Sequence, residues 1–188
     1  MVLVQDYSLI SNFICESFGL QLSKEIKPIA KSKIAAFSKK YSVEDWSDFF
    51  KKERSKQRSK KILELVDIFL VGHTSFFRDP VQFQVLTQNV LPALVGSERD
   101  WPKEIDLRIW SAGCSSGEEP YSILFTLMNY FGPKYQNIEC GVLATDISKS
   151  SLEVAKRGCY SLSRIAKNYR QEYSKYIRRV DEDLFEIA

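Results

Sequence analysis

The stretch that most constrains this chain runs from Leu107 to Pro120. Leu107-Arg108-Ile109-Trp110 is short and β-prone, and reads as a strand running into Ser111-Ala112-Gly113-Cys114-Ser115-Ser116-Gly117. Glu118-Glu119-Pro120 then opens a helix, with Ile123, Leu124, Leu127 and Tyr130 along one side. A second strand, Cys140–Ala144, ends in Thr145-Asp146. Ser148 caps a further helix over Ser151–Arg157, and Gly158 closes it. Strand, glycine turn, helix, strand, acid, helix is the order of a right-handed βαβ unit of the nucleotide-binding kind.

The residues ahead of this unit read differently. Between positions 8 and 70 the apolar residues recur at helical spacing. Asn12-Phe13-Ile14, then Phe18, Leu20 and Leu22, make a first stripe. Ile26, Ile29, Ala30, Ile34 and Phe37 follow, and Ile62, Leu65, Val66, Phe69 and Leu70 close the set. Ser42, three residues before Asp45, reads as the N-cap of a helix carrying Trp46, Phe49 and Phe50. Gly72 breaks the pattern, and Asp79-Pro80 starts another helix with Phe83, Leu86, Val90, Leu91 and Leu94 on its apolar face.

Charge is unevenly spread. From Lys24 to Lys61 there are 13 basic and 5 acidic residues, a local net of +8, against −5 for the remainder. The run over 51–61 is either a solvated helix face or a docking surface for an acidic partner, and Lys56, Arg58, Lys60 and Lys61 are its candidate contacts. Aromatic residues are not interleaved with it, which argues against single-stranded nucleic acid. Cys15, Cys114, Cys140 and Cys159 stand far apart and there is one histidine, His73, so the sequence has no zinc-ligand spacing. No run approaches the roughly 20 apolar residues of a membrane span, and the first residues lack a signal-peptide pattern. A cytoplasmic chain without membrane insertion or bound metal is expected.

Two features could carry chemistry. A glycine turn after a strand lets backbone amides approach a ligand. Glu118 and Glu119 would repel a phosphate there but accept a ligand with a cationic sulfonium and ribose hydroxyls. Asp146, at the end of the second strand, is placed to accept hydrogen bonds from a ribose diol. The competing readings are a purely structural turn at Gly113 and a helix-capping role for Asp146. Thr74-Ser75-Phe76-Phe77-Arg78 reads by itself as core sequence.

These segments together resemble the chemotaxis receptor methyltransferases, the CheR family. Thr74-Ser75-Phe76-Phe77-Arg78 with Phe83 and Leu91-Pro92 is similar to that family's segment between its two domains. Arg108 to Ile123 resembles its cofactor-binding signature, and Ala144-Thr145-Asp146-Ile147 with Leu152, Ala155, Gly158 and Tyr160 its second signature. The resemblance implies an α plus α/β chain: a helical domain over 1–71, a linker and connecting helix over 72–95, and over 96–188 the first βαβ part of a Rossmann-like, class I methyltransferase domain. It implies S-adenosylmethionine as cofactor, with Thr74 and Arg78 over it, Arg78 towards its carboxylate end. Glu119 would contact the methionyl part, Asp146 the ribose, and Gly113 would allow close backbone approach. The implied activity is methyl transfer to glutamate side chains of chemoreceptors, whose acidic cytoplasmic region would dock on the basic helices. A substrate carboxylate needs no general base at neutral pH, so no catalytic residue is assigned.

Two departures stand out. Gly72 occupies a position where the family often has a cofactor-holding asparagine. The chain also ends at Ala188, ahead of the family's Asn-Leu-Leu-like loop and Cys-Arg-Asn-like strand end. A truncated sheet, incomplete for catalysis and completed by a separate chain or by self-association, is therefore expected. The alternative function is a non-catalytic receptor- or partner-binding module derived from the enzyme.

Overall fold

The computed structural model describes residues 4–23, 25, 27–53, 59–70, 72–96 and 105–188. They form two compact units, Met1–Val71 with Ile147–Lys149, and Gly72–Asp146 with Ser150–Ala188.

The first unit is helical: α1 (Val4–Phe18), α2 (Pro28–Tyr41), α3 (Trp46–Glu53) and α4 (Lys60–Asp67). Ile10, Ile14, Ile34, Phe37, Ile62, Leu65 and Val66 fill its core at helical spacing. Aromatic rings complete the packing, Phe13 stacking on Phe50 at 4.1 Å between centroids and Trp46 meeting Phe49 edge-on at 5.6 Å. The structure corrects two details of the sequence reading. Ser42 adopts a left-handed conformation that closes α2, its amide donating to the Ser38 carbonyl, whereas an N-cap needs extended backbone. Asp45 is the cap of α3, accepting from the Asp48 amide at 2.8 Å. Ile29 is 71% exposed, because it lies five residues, about 140° around a helix, from Ile34. Ile26 lies outside the described residues.

The second unit begins with a connecting segment: α5 (Pro80–Val85), a π turn over Leu86–Val90 and α6 (Leu91–Val95). Strand β1 (Ile105–Ala112) pairs in parallel with β2 (Ile138–Thr145) through α7 (Glu118–Phe131), in unbroken register from Ile105 opposite Ile138 to Ala112 opposite Thr145. Both strands run longer than the apolar stretches suggest, since ladder pairing also recruits polar residues such as Asp106 and Glu139. Alternation sorts their side chains. Ile105 and Leu107 face α6 and α7, packing with Leu91, Val95, Leu127 and Phe131. Trp110 and Leu143, opposite each other on the other face, are 67% and 62% exposed. Towards the start of the strands this face carries Arg108, paired with Asp106 and Glu139. The Arg108 guanidinium lies over Gly141, where a Cβ would come within 3.2 Å of it.

After α8 (Lys149–Arg157), turned off by Gly158 at φ 61°, comes a small antiparallel sheet. Its order is β3 (Cys159–Ser161), β5 (Leu184–Ile187), β4 (Ile177–Arg179), with the short helix α9 (Lys167–Glu172) between β3 and β4. This sheet and α9 build an aromatic core with α7 and the connecting segment: Phe76, Phe77, Phe125, Tyr160, Tyr173 and Phe185.

Candidate functional site

The glycine turn and the acid of the second strand meet at the C-terminal ends of β1 and β2. The Thr145 carbonyl accepts from the amides of Gly113 and Cys114, at 2.8 and 2.9 Å. Asp146 Oδ2 accepts from the Ser115 amide at 2.7 Å. Gly113, Ser115 and Gly117 all have positive φ, at 78°, 48° and 96°. The two glycines serve different ends. A Cβ at Gly113 would meet no atom within 4 Å, so the backbone there borders open space. One at Gly117 would come within 2.7 Å of the Ala155 Cβ and 2.9 Å of the Tyr160 hydroxyl. Gly117 is thus the residue that lets α7 pack close to α8.

Glu119, exposed in the first turn of α7, accepts from the Ser111 hydroxyl at 2.6 Å. It borders a cavity of about 460 Å³ between β1 and the connecting segment, with Phe83, Leu86, Leu107 and Trp110 among its apolar walls. Glu118 points the other way, only 1% exposed. One of its oxygens accepts from the Ser116 hydroxyl at 2.7 Å, and the other lies 3.5 Å from the Arg164 guanidinium. It borders a second cavity of about 400 Å³ with Gly72, Ser115, Tyr160 and Arg164. Burial, reinforced by the charge of Asp146, raises the Cys114 thiol above its ordinary pKa, so this cysteine is held as the neutral thiol.

Thr74 and Arg78 lie on the segment entering the unit. Gly72, at its start, lies beside Ser115: a Cβ there would stand 3.4 Å from the serine hydroxyl. The Thr74 carbonyl accepts from Arg164 at 2.9 Å. Arg78 is turned back on its own segment, its Nη1 donating to the His73 carbonyl at 2.9 Å. Between them Phe77 takes a left-handed φ of 52°, unusual for a bulky residue. Its amide donates to the buried Ser122 hydroxyl at 3.0 Å, and its ring stacks against both Tyr169 and Tyr173, at 4.4 and 4.6 Å.

The structure therefore groups Gly113, Glu119 and Asp146 at the strand ends and brings Gly72 beside Ser115 of the turn, whereas Thr74 is held at Arg164 and Arg78 turns back on His73. Sequence reasoning missed Ser111, Ser122 and Arg164. The hydroxyls carry no local signal, and Arg164 reaches a carbonyl 90 residues away in sequence. Of the basic candidates, Lys60 is exposed at the start of α4. Lys61 pairs with Glu53 at 3.5 Å and lies 5.5 Å from the centre of the Tyr41 ring. Lys56 and Arg58 lie outside the described residues. Among the described residues no three His, Cys, Asp or Glu side chains gather as a metal site, and no helix is long and apolar enough to cross a membrane.

Residues 72–188 match the family described as CheR methyltransferase, SAM binding domain. The chain is 31% identical over 182 residues to the chemotaxis protein methyltransferase of Borreliella burgdorferi, covering 97% of this chain and 64% of that protein. It is 30% identical to chemotaxis protein methyltransferase 1 of Pseudomonas aeruginosa (82% of this chain, 56% of that one) and 29% identical to the chemotaxis protein methyltransferase of Vibrio parahaemolyticus (83% and 55%). The chain thus spans less than two thirds of the length of these relatives. With the family match extending over more than half of its residues, on the same unit that carries the turn and its acid, the chain belongs to the CheR methyltransferase family.

Proposed function

We propose that Gly72–Ala188 binds S-adenosylmethionine at the ends of β1 and β2, and that the protein transfers its methyl group to glutamate side chains of a chemoreceptor. The observation carrying this reading is the Ser115–Asp146 hydrogen bond, which fixes a carboxylate beside a glycine whose Cα faces open space. The residues fit the cofactor. Asp146 suits a ribose diol, Glu119 a cationic methionyl end, and the open side of Gly113 close backbone approach. Thr74 and Arg78 would reach the cofactor from the entering segment, whose first residue, Gly72, lies beside Ser115. The exposed Glu119 disfavours a phosphate-rich ligand at the same place.

When bound, the cofactor supplies a methyl group activated on a sulfonium. A receptor glutamate is a carboxylate at neutral pH, so this chain's residues have only to align and desolvate the reactants. S-Adenosylhomocysteine should bind the purified chain in a calorimetric titration, with ADP far weaker. Equal affinity for ADP would overturn the reading.

The partner proposed is the acidic, helical cytoplasmic region of a chemoreceptor, docked on the basic residues Lys56, Arg58, Lys60 and Lys61 in the cytoplasm. Reversing these four to glutamate should abolish docking at low salt, and the wild-type interaction should weaken as salt rises, since exposed charges more than about 8 Å apart are screened at physiological ionic strength. Equal binding by the reversed chain would assign the run to solvation.

A further inference from the structure

We propose that Arg164 is a positioning residue, holding the segment that carries Thr74 and Arg78 against the first turn of α7. The proposal rests on the cofactor reading above and adds a residue to it. Arg164 ends a 3-10 turn over Leu162–Arg164, which Ser161 caps through its hydroxyl. It grips the entering segment at two points. Its backbone carbonyl accepts from the Phe76 amide at 2.9 Å, and its Nη1 donates to the Thr74 carbonyl at 2.9 Å. The same nitrogen lies 3.5 Å from Glu118 Oε1.

The electrostatics give this contact its direction. Glu118 is 1% exposed, whereas the Arg164 side chain is 44% exposed. A buried carboxylate is costly without a partner charge, so Glu118 draws the guanidinium inward. The guanidinium has several fixed N–H donors, and one of them takes the Thr74 carbonyl with it. Glu118 also adjoins Glu119 in the first helical turn. One side chain therefore ties the cofactor-facing segment to the helix start that carries Glu119. The aromatic contacts of Phe77 hold that residue itself, whereas the Thr74 carbonyl is held by Arg164.

Arg164→Met removes the charge and the donors and leaves Glu118 buried without that counter-charge, with the Ser116 hydroxyl still bonded to it. The double variant Glu118→Gln with Arg164→Met removes the carboxylate charge as well. It should regain thermal stability without regaining the side-chain hold on Thr74, the backbone bond from the Phe76 amide to residue 164 staying in place. Hydrogen exchange over residues 73–77 and S-adenosylhomocysteine affinity are measured in wild type and both variants, with Asp146→Asn as site control. In the double variant, exchange should be faster by roughly tenfold or more and the cofactor product should bind roughly tenfold more weakly. Unchanged exchange in a stable double variant would overturn the grip. Faster exchange with unchanged affinity, where Asp146→Asn loses affinity, would overturn the positioning role. A wild-type chain that fails to bind S-adenosylhomocysteine would overturn the cofactor reading and the positioning role together, the exchange data then deciding the grip alone.

Discussion

Asp146 accepts a 2.7 Å hydrogen bond from the amide of Ser115, 31 residues earlier in the chain. The contact locks a left-handed residue of the glycine turn onto the end of β2 and holds the acid beside the turn, where the proposed cofactor would lie. Asp146→Ala should therefore weaken S-adenosylhomocysteine binding by about 1–3 kcal/mol, the range for losing a hydrogen bond to a charged group. Calorimetry checks this, and unchanged affinity would remove Asp146 from the site.

Gly113 and Gly117 should respond differently to alanine. At Gly117 the new Cβ would stand 2.7 Å from the Ala155 Cβ at a φ of 96°, so overpacking and backbone strain together should cost about 2–4 kcal/mol in denaturant unfolding. Gly113→Ala meets no neighbour and carries only the strain of φ 78°, about 1–2 kcal/mol. Its larger effect should be on cofactor affinity, because the methyl projects into the open space beside the turn. Equal loss of stability in the two variants would contradict this division.

Gly72 offers a gain-of-function test. Its φ is not in the left-handed region, and a Cβ there meets only the Ser115 hydroxyl, at 3.4 Å. Gly72→Asn should fold normally and, by adding a polar contact at the site, tighten S-adenosylhomocysteine binding by about 0.5–1.5 kcal/mol. Weaker binding in a normally stable variant would mean that the position does not face the cofactor.

The exposed pair Trp110 and Leu143 predicts self-association. A parallel sheet is ordinarily covered on both faces, and open strand edges template pairing with other chains. The chain should show a concentration-dependent rise in mass by sedimentation, reduced by Leu143→Lys. A monomer throughout the micromolar range would contradict the prediction.

Much of the site could be read from short stretches of sequence. The strand, the glycine turn, the acidic helix start and Asp146 are encoded by residues whose local conformational preferences agree with the fold. Gly113 and Gly117 occupy positive-φ positions that other residues take only with strain. The helical stripes were legible for the same reason, since Ile62, Leu65 and Val66 repeat at the helix period and are fully buried. Other features are conditional on neighbours. Ser42 and Asp45 are both acceptable N-caps by composition, and the left-handed close of α2 decides between them. Glu118 and Glu119 are adjacent and chemically alike, yet one is buried against Arg164 and the other opens on the site, because successive helical residues project about 100° apart. Sequence determined which residues could form the turn and supply its acid. Only the tertiary structure decided which carboxylate is buried and which arginine reaches Thr74, because those choices depend on burial and on contacts between residues far apart in the chain.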